Sequence, residues 1–221
     1  MNNTLIPQTF WFRLAIPCRR IDTIPQRDIR SRMGELPASN VLPDMQTLEP
    51  GETSWTRVGV AWNPRGIGIS VRAIGAKPGK PAEVHPDGFA NIQIWIDTRD
   101  TRNVSRATRF CHRFAARLSL RRGKELAVET SRRAIARAIA DPPVNNADIS
   151  DAVAELTSTG WQFDWFIPAD ALHGFDPETN RRLGFAYQIS DFVRDDQFLT
   201  IGREFPVGEN PGLWTTLELV D

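Results

Sequence analysis

Between Gly160 and Pro168 the chain runs Trp161, Gln162, Phe163, Asp164, Trp165, Phe166, Ile167, with large apolar residues at every second position. A period of two sends successive side chains to opposite faces of an extended strand. Trp161, Phe163, Trp165 and Ile167 therefore belong to a core. Gln162, Asp164 and Phe166 face the other way, and Pro168 ends the strand because its nitrogen cannot donate to a sheet ladder.

The same alternation recurs at Asn91–Asp97, where Ile92, Ile94 and Ile96 share one face and Gln93, Trp95 and Asp97 the other. Thr9–Pro17 reads as an opening strand. Thr56–Trp62 and Ile67–Ile74 read as a hairpin around Asn63-Pro64-Arg65-Gly66, and glycines inside both arms signal close backbone approach. Further strands are expected at Ala152–Thr157, Leu183–Ser190, Phe198–Ile201 and Trp214–Val220. Many short strands without long helices indicate an all-β fold, an antiparallel β-sandwich with long loops and one short helix. The 221 residues fit a single domain spanning 1–221. Pro25, Pro37, Pro43 and Pro50 make 18–53 an irregular Pro-rich surface segment.

Two stretches carry conflicting periods. Arg102, Arg106, Arg109, Arg113 and Arg117 fall at helical spacing, with Ala107, Phe110, Cys111, Phe114 and Leu118 as the matching stripe. Read as a strand, 108–114 alternates instead. Residues 129–140 are equally double, and the Ala-rich run with Ile135 and Ile139 four apart is expected to be a short helix ended by Asp141-Pro142-Pro143.

Charge balances at 27 basic and 27 acidic residues, so no overall field selects nucleic acid or a membrane. The distribution is uneven: 99–137 holds twelve Arg or Lys against three acids, and 141–221 fifteen acids against four Arg. Such blocks are expected to meet each other or to face solvent. Cys18 and Cys111 are too far apart in sequence, and too few, for a disulfide scaffold. With no secretory signal and no long apolar run, a cytoplasmic protein is the expectation. Cys111 and His112 point to opposite faces of a strand and so rarely share an ion. No metal or cofactor is expected.

Several motifs, taken in order, resemble the family 9 carbohydrate-binding modules. They are Val60-Ala61-Trp62-Asn63-Pro64-Arg65-Gly66-Ile67-Gly68-Ile69, Ile92–Asp97, Gly160–Pro168, Leu183-Gly184-Phe185-Ala186-Tyr187-Gln188-Ile189-Ser190-Asp191 and Leu213–Leu219. The resemblance implies a β-sandwich, places 107–114 in a strand, and implies structural calcium as the one metal to consider, with Asp97, Asp100, Asp191, Asp195 and Asp196 as oxygen donors. Two loop tryptophans clamp the sugar in that family. The matching positions here fall near Asp87 and Val207, and neither is aromatic.

The face that would line the family's groove carries Gln93, Trp95, Asp164 and Gln188, which are the expected ligand-binding residues: three hydrogen-bonding groups and a stacking surface. Alternatively, the 18–53 segment covers that face. The expected function is a non-catalytic domain that weakly binds a carbohydrate or similar polyhydroxylated ligand. No nucleophile, base or phosphate-loop signature points to an enzyme. A protein-interaction scaffold that kept the fold and lost the sugar site is the alternative, with a protein partner in place of a sugar. Nucleic acid gripped by the 99–137 arginines ranks last.

Overall fold

The computed structural model describes residues 14–27, 30–45, 54–75, 88–121, 125–191, 194–200 and 202–221. Eleven strands follow in chain order: β1 (Ala15–Arg19), β2 (Thr56–Asn63), β3 (Gly66–Ile74), β4 (Ala90–Asp97), β5 (Cys111–Leu120), β6 (Leu126–Arg133), β7 (Ala152–Leu156), β8 (Gly160–Pro168), β9 (Arg182–Asp191), β10 (Gln197–Phe198) and β11 (Thr215–Val220). The larger sheet is ordered β1-β11-β9-β4-β5-β6, with β10 also on β9; the smaller is β2-β3-β8-β7. Pairing is antiparallel except between β1 and β11.

The alternation in β8 is realised as read. Trp161, Phe163, Trp165 and Ile167 are buried between the sheets against β3 partners Ile67, Ile69, Val71 and Ala73. Ile92, Ile94 and Ile96 of β4 meet them from the other side. Burying a side chain of this size is worth about 2 kcal/mol, so these strands hold much of the fold's stability. Polar staples tie the layers. The Gln197 side chain accepts from Thr56 N at 2.9 Å and donates to Thr56 O at 3.0 Å, and Trp62 Nε1 donates to Val220 O at 3.0 Å.

The β2–β3 hairpin turns at Pro64-Arg65, with Asn63 opposite Gly66. Asn63 Oδ1 accepts from Arg65 N at 2.9 Å, while its amide nitrogen donates to Ile21 O and Ile24 O. That single side chain fixes both the turn and the segment after β1.

Two expectations need correction. Residues 129–140 form no α-helix: β6 runs to Arg133, and the chain then folds back so that Ile139 N donates to Ala107 O at 2.7 Å. The strand that the resemblance places over 107–114 is found from Cys111 onward, in β5, and the helical period over 102–118 is not realised. Pairing β5 with β4 and β6 buries Phe114, Ala116 and Leu118 on the inner face and satisfies the backbone on both sides, and such tertiary pairing overrides a helical period. The described helical turns are all three-residue 3₁₀ turns.

Nor is the described part of 18–53 merely draped on the surface. Ile24 and Met33 are buried on Ala61 and Phe166, on the outer face of the smaller sheet, with Ile21 and Leu36 beside them. Gly59 and Gly68 make the approach feasible. A Cβ at Gly59 would stand 2.8 Å from Leu36 Cδ1, and one at Gly68 would stand 2.8 Å from Ile24 Cδ1 and collide with Met33 Sδ. The first part of the expected opening strand, His85 and Asp87 lie outside the described residues. No helix among the described residues is long and apolar enough to cross a membrane.

Candidate functional site

The four expected ligand-binding residues separate. Gln93 and Gln188 are direct register partners on β4 and β9, both half-buried on the outer face of the larger sheet. Asp164 lies on the other sheet, facing the opposite side of the molecule. It is 1% exposed, because Ser31 Oγ and the Arg72 guanidinium close over it. Arg72 holds it by a two-pronged bond, at 2.7 Å to Oδ1 and 3.3 Å to Oδ2. The 18–53 segment covers this face, so Asp164 shares no surface with Gln93.

Trp95 shares the outer face with Gln93, but no ring face is open for stacking. It is 2% exposed, in a second cluster with Cys111, Ala186, Val207 and Trp214. A Cβ on Gly208 would stand 3.2 Å from Trp95 Cζ2, and the Arg113 guanidinium lies over the ring at 5.5 Å. Val207, at the second clamp position, is buried in the same cluster, and its carbonyl accepts from Trp214 Nε1 at 2.7 Å. It presents nothing aromatic to solvent.

Next to Gln93 the outer face dips into an open groove of about 490 Å³ across β4, β5 and β6. Its volume is in the range of small-ligand sites. Asn91 and Gln93 form one wall, Ala115 the floor, and Ser131 and Arg133 the other wall. Arg113 and Arg117 project from β5, with Glu129 opposite Arg117 on β6. Arg113 is pinned: Nε donates to Gln93 Oε1 at 3.1 Å, a second guanidinium N–H reaches the same oxygen, and a third donates to Ala134 O at 3.3 Å. Burial, and then the Arg133 charge beside it, holds the Arg113 pKa below the ordinary arginine range. Arg117 is ion-paired to Glu129. Gln188 stands apart, donating to Asp196 Oδ2 at 2.5 Å, and Asp196 in turn pairs with Arg203 at 2.8 Å.

Sequence reasoning missed the groove's arginines. Arg113 and Arg117 flank Ala115 at a strand period, and that signal was present, but nothing local marks β5's outer face as the side of an open groove.

Metal chemistry finds no donor set. Among the described residues no three His, Cys, Asp or Glu side chains come together as a metal site. Four of the five acids considered for calcium have other partners, Asp196 those already given. Asp97 accepts from Arg99 N and Thr101 N at 2.9 and 2.7 Å; Asp100 takes Thr216 Oγ1 and Arg102; Asp191 pairs with Arg194 at 2.7 Å. Burial raises the Asp97 pKa. Burial also pushes the Cys18 and Cys111 thiols up to about 12 and about 11, and the His112 imidazole down to about 4. All three stay neutral near pH 7, and none is poised as a nucleophile.

No protein-family model matches the sequence, and no curated protein matches it. Solved structures do. A carbohydrate-binding module family 9 from Caldicellulosiruptor kristjanssonii in complex with cellotriose superposes with a TM-score of 0.57 at 14% identity, over 93% of each chain. A module of that family from the same organism, in complex with glucose, gives 0.50 at 13% identity, over 77% of this chain and 80% of the other. At such identities the likeness speaks for architecture alone. The chain thus has the β-sandwich fold of the family 9 carbohydrate-binding modules, in a strongly diverged sequence.

Proposed function

We propose that this protein is a non-catalytic carbohydrate-binding domain whose ligand site is the groove across β4, β5 and β6. The observation that carries the reading is the groove itself, an open, polar concavity on a fold shared with modules solved with cellotriose and with glucose. Gln93 and Asn91 on one wall and Ser131 on the other supply amide and hydroxyl groups suited to sugar hydroxyls. Gln188, although next to Gln93 in register, serves as a support outside the groove. Glu129 is the one carboxylate among the described lining residues and is already paired with Arg117. Hydrolysis of a glycosidic bond ordinarily uses two carboxylates flanking it, so the groove suits binding without bond-breaking.

Without an aromatic clamp the affinity is low, with a Kd of about 1 mM for a neutral oligosaccharide. Calorimetric titration with cellotriose and a panel of soluble oligosaccharides tests this. Saturable weak binding that disappears in Ala115→Trp, which fills the groove floor, is the expected result. Silence across the panel, or binding that survives Ala115→Trp in a variant with the wild-type circular dichroism spectrum, overturns it.

A further inference from the structure

Two arginines stand directly opposite each other in this groove: Arg113 of β5 and Arg133 of β6 are register partners on the same outer face. Like charges in that relation destabilise a sheet. A carboxylate opposite would pair with the charge instead, as Glu129 does with Arg117 two same-face pairs further along. Arg113 and Arg133 have none: among the described residues Arg113 bonds to a neutral amide oxygen and a backbone carbonyl, and Arg133 has no ion-pair partner.

Donor accounting sharpens the point. A guanidinium carries five N–H groups. The three bonds of Arg113 engage its Nε–H and one N–H on each terminal nitrogen, leaving one on each free. Arg133 is exposed with its fork unengaged. Stacking on Trp95 and bonding to Gln93 hold Arg113 in place before any ligand arrives. A planar carboxylate fits such donors bidentately, whereas a hydroxyl uses only one.

Resting on the carbohydrate reading above, we infer that the groove selects an acidic saccharide: a hexuronic acid unit whose carboxylate lies between Arg113 and Arg133 while Gln93, Asn91 and Ser131 meet its hydroxyls. The surrounding charge suits this ligand, since among the described lining residues three arginines stand against a single glutamate.

The test titrates the full chain with five probes: an oligomer of galacturonic or glucuronic acid, the methyl ester of the same oligomer, cellotriose, inorganic sulfate, and a short single-stranded oligonucleotide. The ester keeps ring and hydroxyls and loses the charge. The expected result is binding of the free acid about tenfold tighter than of its ester, weakening with added salt. In Arg133→Gln, an exposed and foldable change, the acid-to-ester ratio falls towards one. Equal affinity for acid and ester, with cellotriose also bound, overturns the acidic preference and leaves the carbohydrate reading standing. No heat from any saccharide overturns both. Sulfate binding as tightly as the uronate oligomer, or displacement of the oligomer by a short single-stranded oligonucleotide at equal charge, reduces the site to a general anion patch and also overturns it.

Discussion

The two outer faces of the sandwich start from the same kind of sequence and end in opposite states. On the smaller sheet, Gly68, Ser70 and Arg72 of β3 and Gln162, Asp164 and Phe166 of β8 alternate with core residues. On the larger sheet, Asn91, Gln93 and Trp95 of β4 and Arg113, Ala115 and Arg117 of β5 do the same. The first face is roofed by the chain's own segment, with Met33 and Ile24 seated over glycine and Asp164 locked to Arg72 and Ser31. The second keeps an open groove with two arginines unpaired by any described carboxylate. What separates them is volume. Glycine at 59 and 68 leaves a hollow that apolar residues from elsewhere in the chain can fill, whereas long arginines at 113, 117 and 133 line the groove above their own sheet and give an apolar segment no seat. A polar outward residue is therefore a site candidate only where the neighbouring strands leave no hollow for the chain to close.

The sharpest way to break that contrast is Asp164→Ala. Removing one partner of a buried pair strands the other charge, and Arg72 is only partly relieved by its 30% exposure. A loss of about 3 kcal/mol is expected in urea unfolding, with saccharide titrations of the folded variant unchanged. Stability unaltered, with sugar binding lost, would return Asp164 to the ligand site and erase the distinction between the faces. A smaller effect comes from Met33→Ala, which hollows the roof without touching a charge. It should cost about 2 kcal/mol by the same assay. A negligible change would mean that the segment adds little to the smaller sheet and that this face opens readily.

Much of the architecture was legible because it is written locally. The strict alternation of Gly160–Pro168 and Ala90–Asp97 needs no partner to be recognised, and Asn63–Gly66 marks its own turn. The site was less legible for two physical reasons. Which outer face a strand shares depends on sheet order, and nothing local to Gln93 or Asp164 says that β4 lies in one sheet and β8 in the other. Arg102 through Arg117 satisfy two periods at once, and the choice falls to burial between β4 and β6, a nonlocal quantity. The run 129–140 misled for the same reason: β5 takes Glu129–Arg133 as its partner, and helix propensity is a weak prior against such pairing. Trp95 was recognised as an outward residue, but only the placement of Val207 and Gly208, over a hundred positions later, determines that it is covered.

The subtlest difference between the faces is energetic, and Arg133→Gln reads it in the protein without ligand. On the roofed face, removing Asp164 or Arg72 should destabilise, because the two are ion-paired to each other. On the open face, taking away Arg133 removes a like-charge neighbour from Arg113 and breaks no ion pair among the described residues. The variant's Tm should therefore rise by about 1 °C in low-salt buffer. Screening by several hundred millimolar salt should abolish the gain, since the interaction is between partly exposed charges. A Tm that falls, or a gain indifferent to salt, would mean that Arg133 has a structural role in the fold and that the pair is not held apart for an anion. The expected rise, accompanied by loss of the uronate preference, would mark the pair as a binding feature retained at the expense of stability.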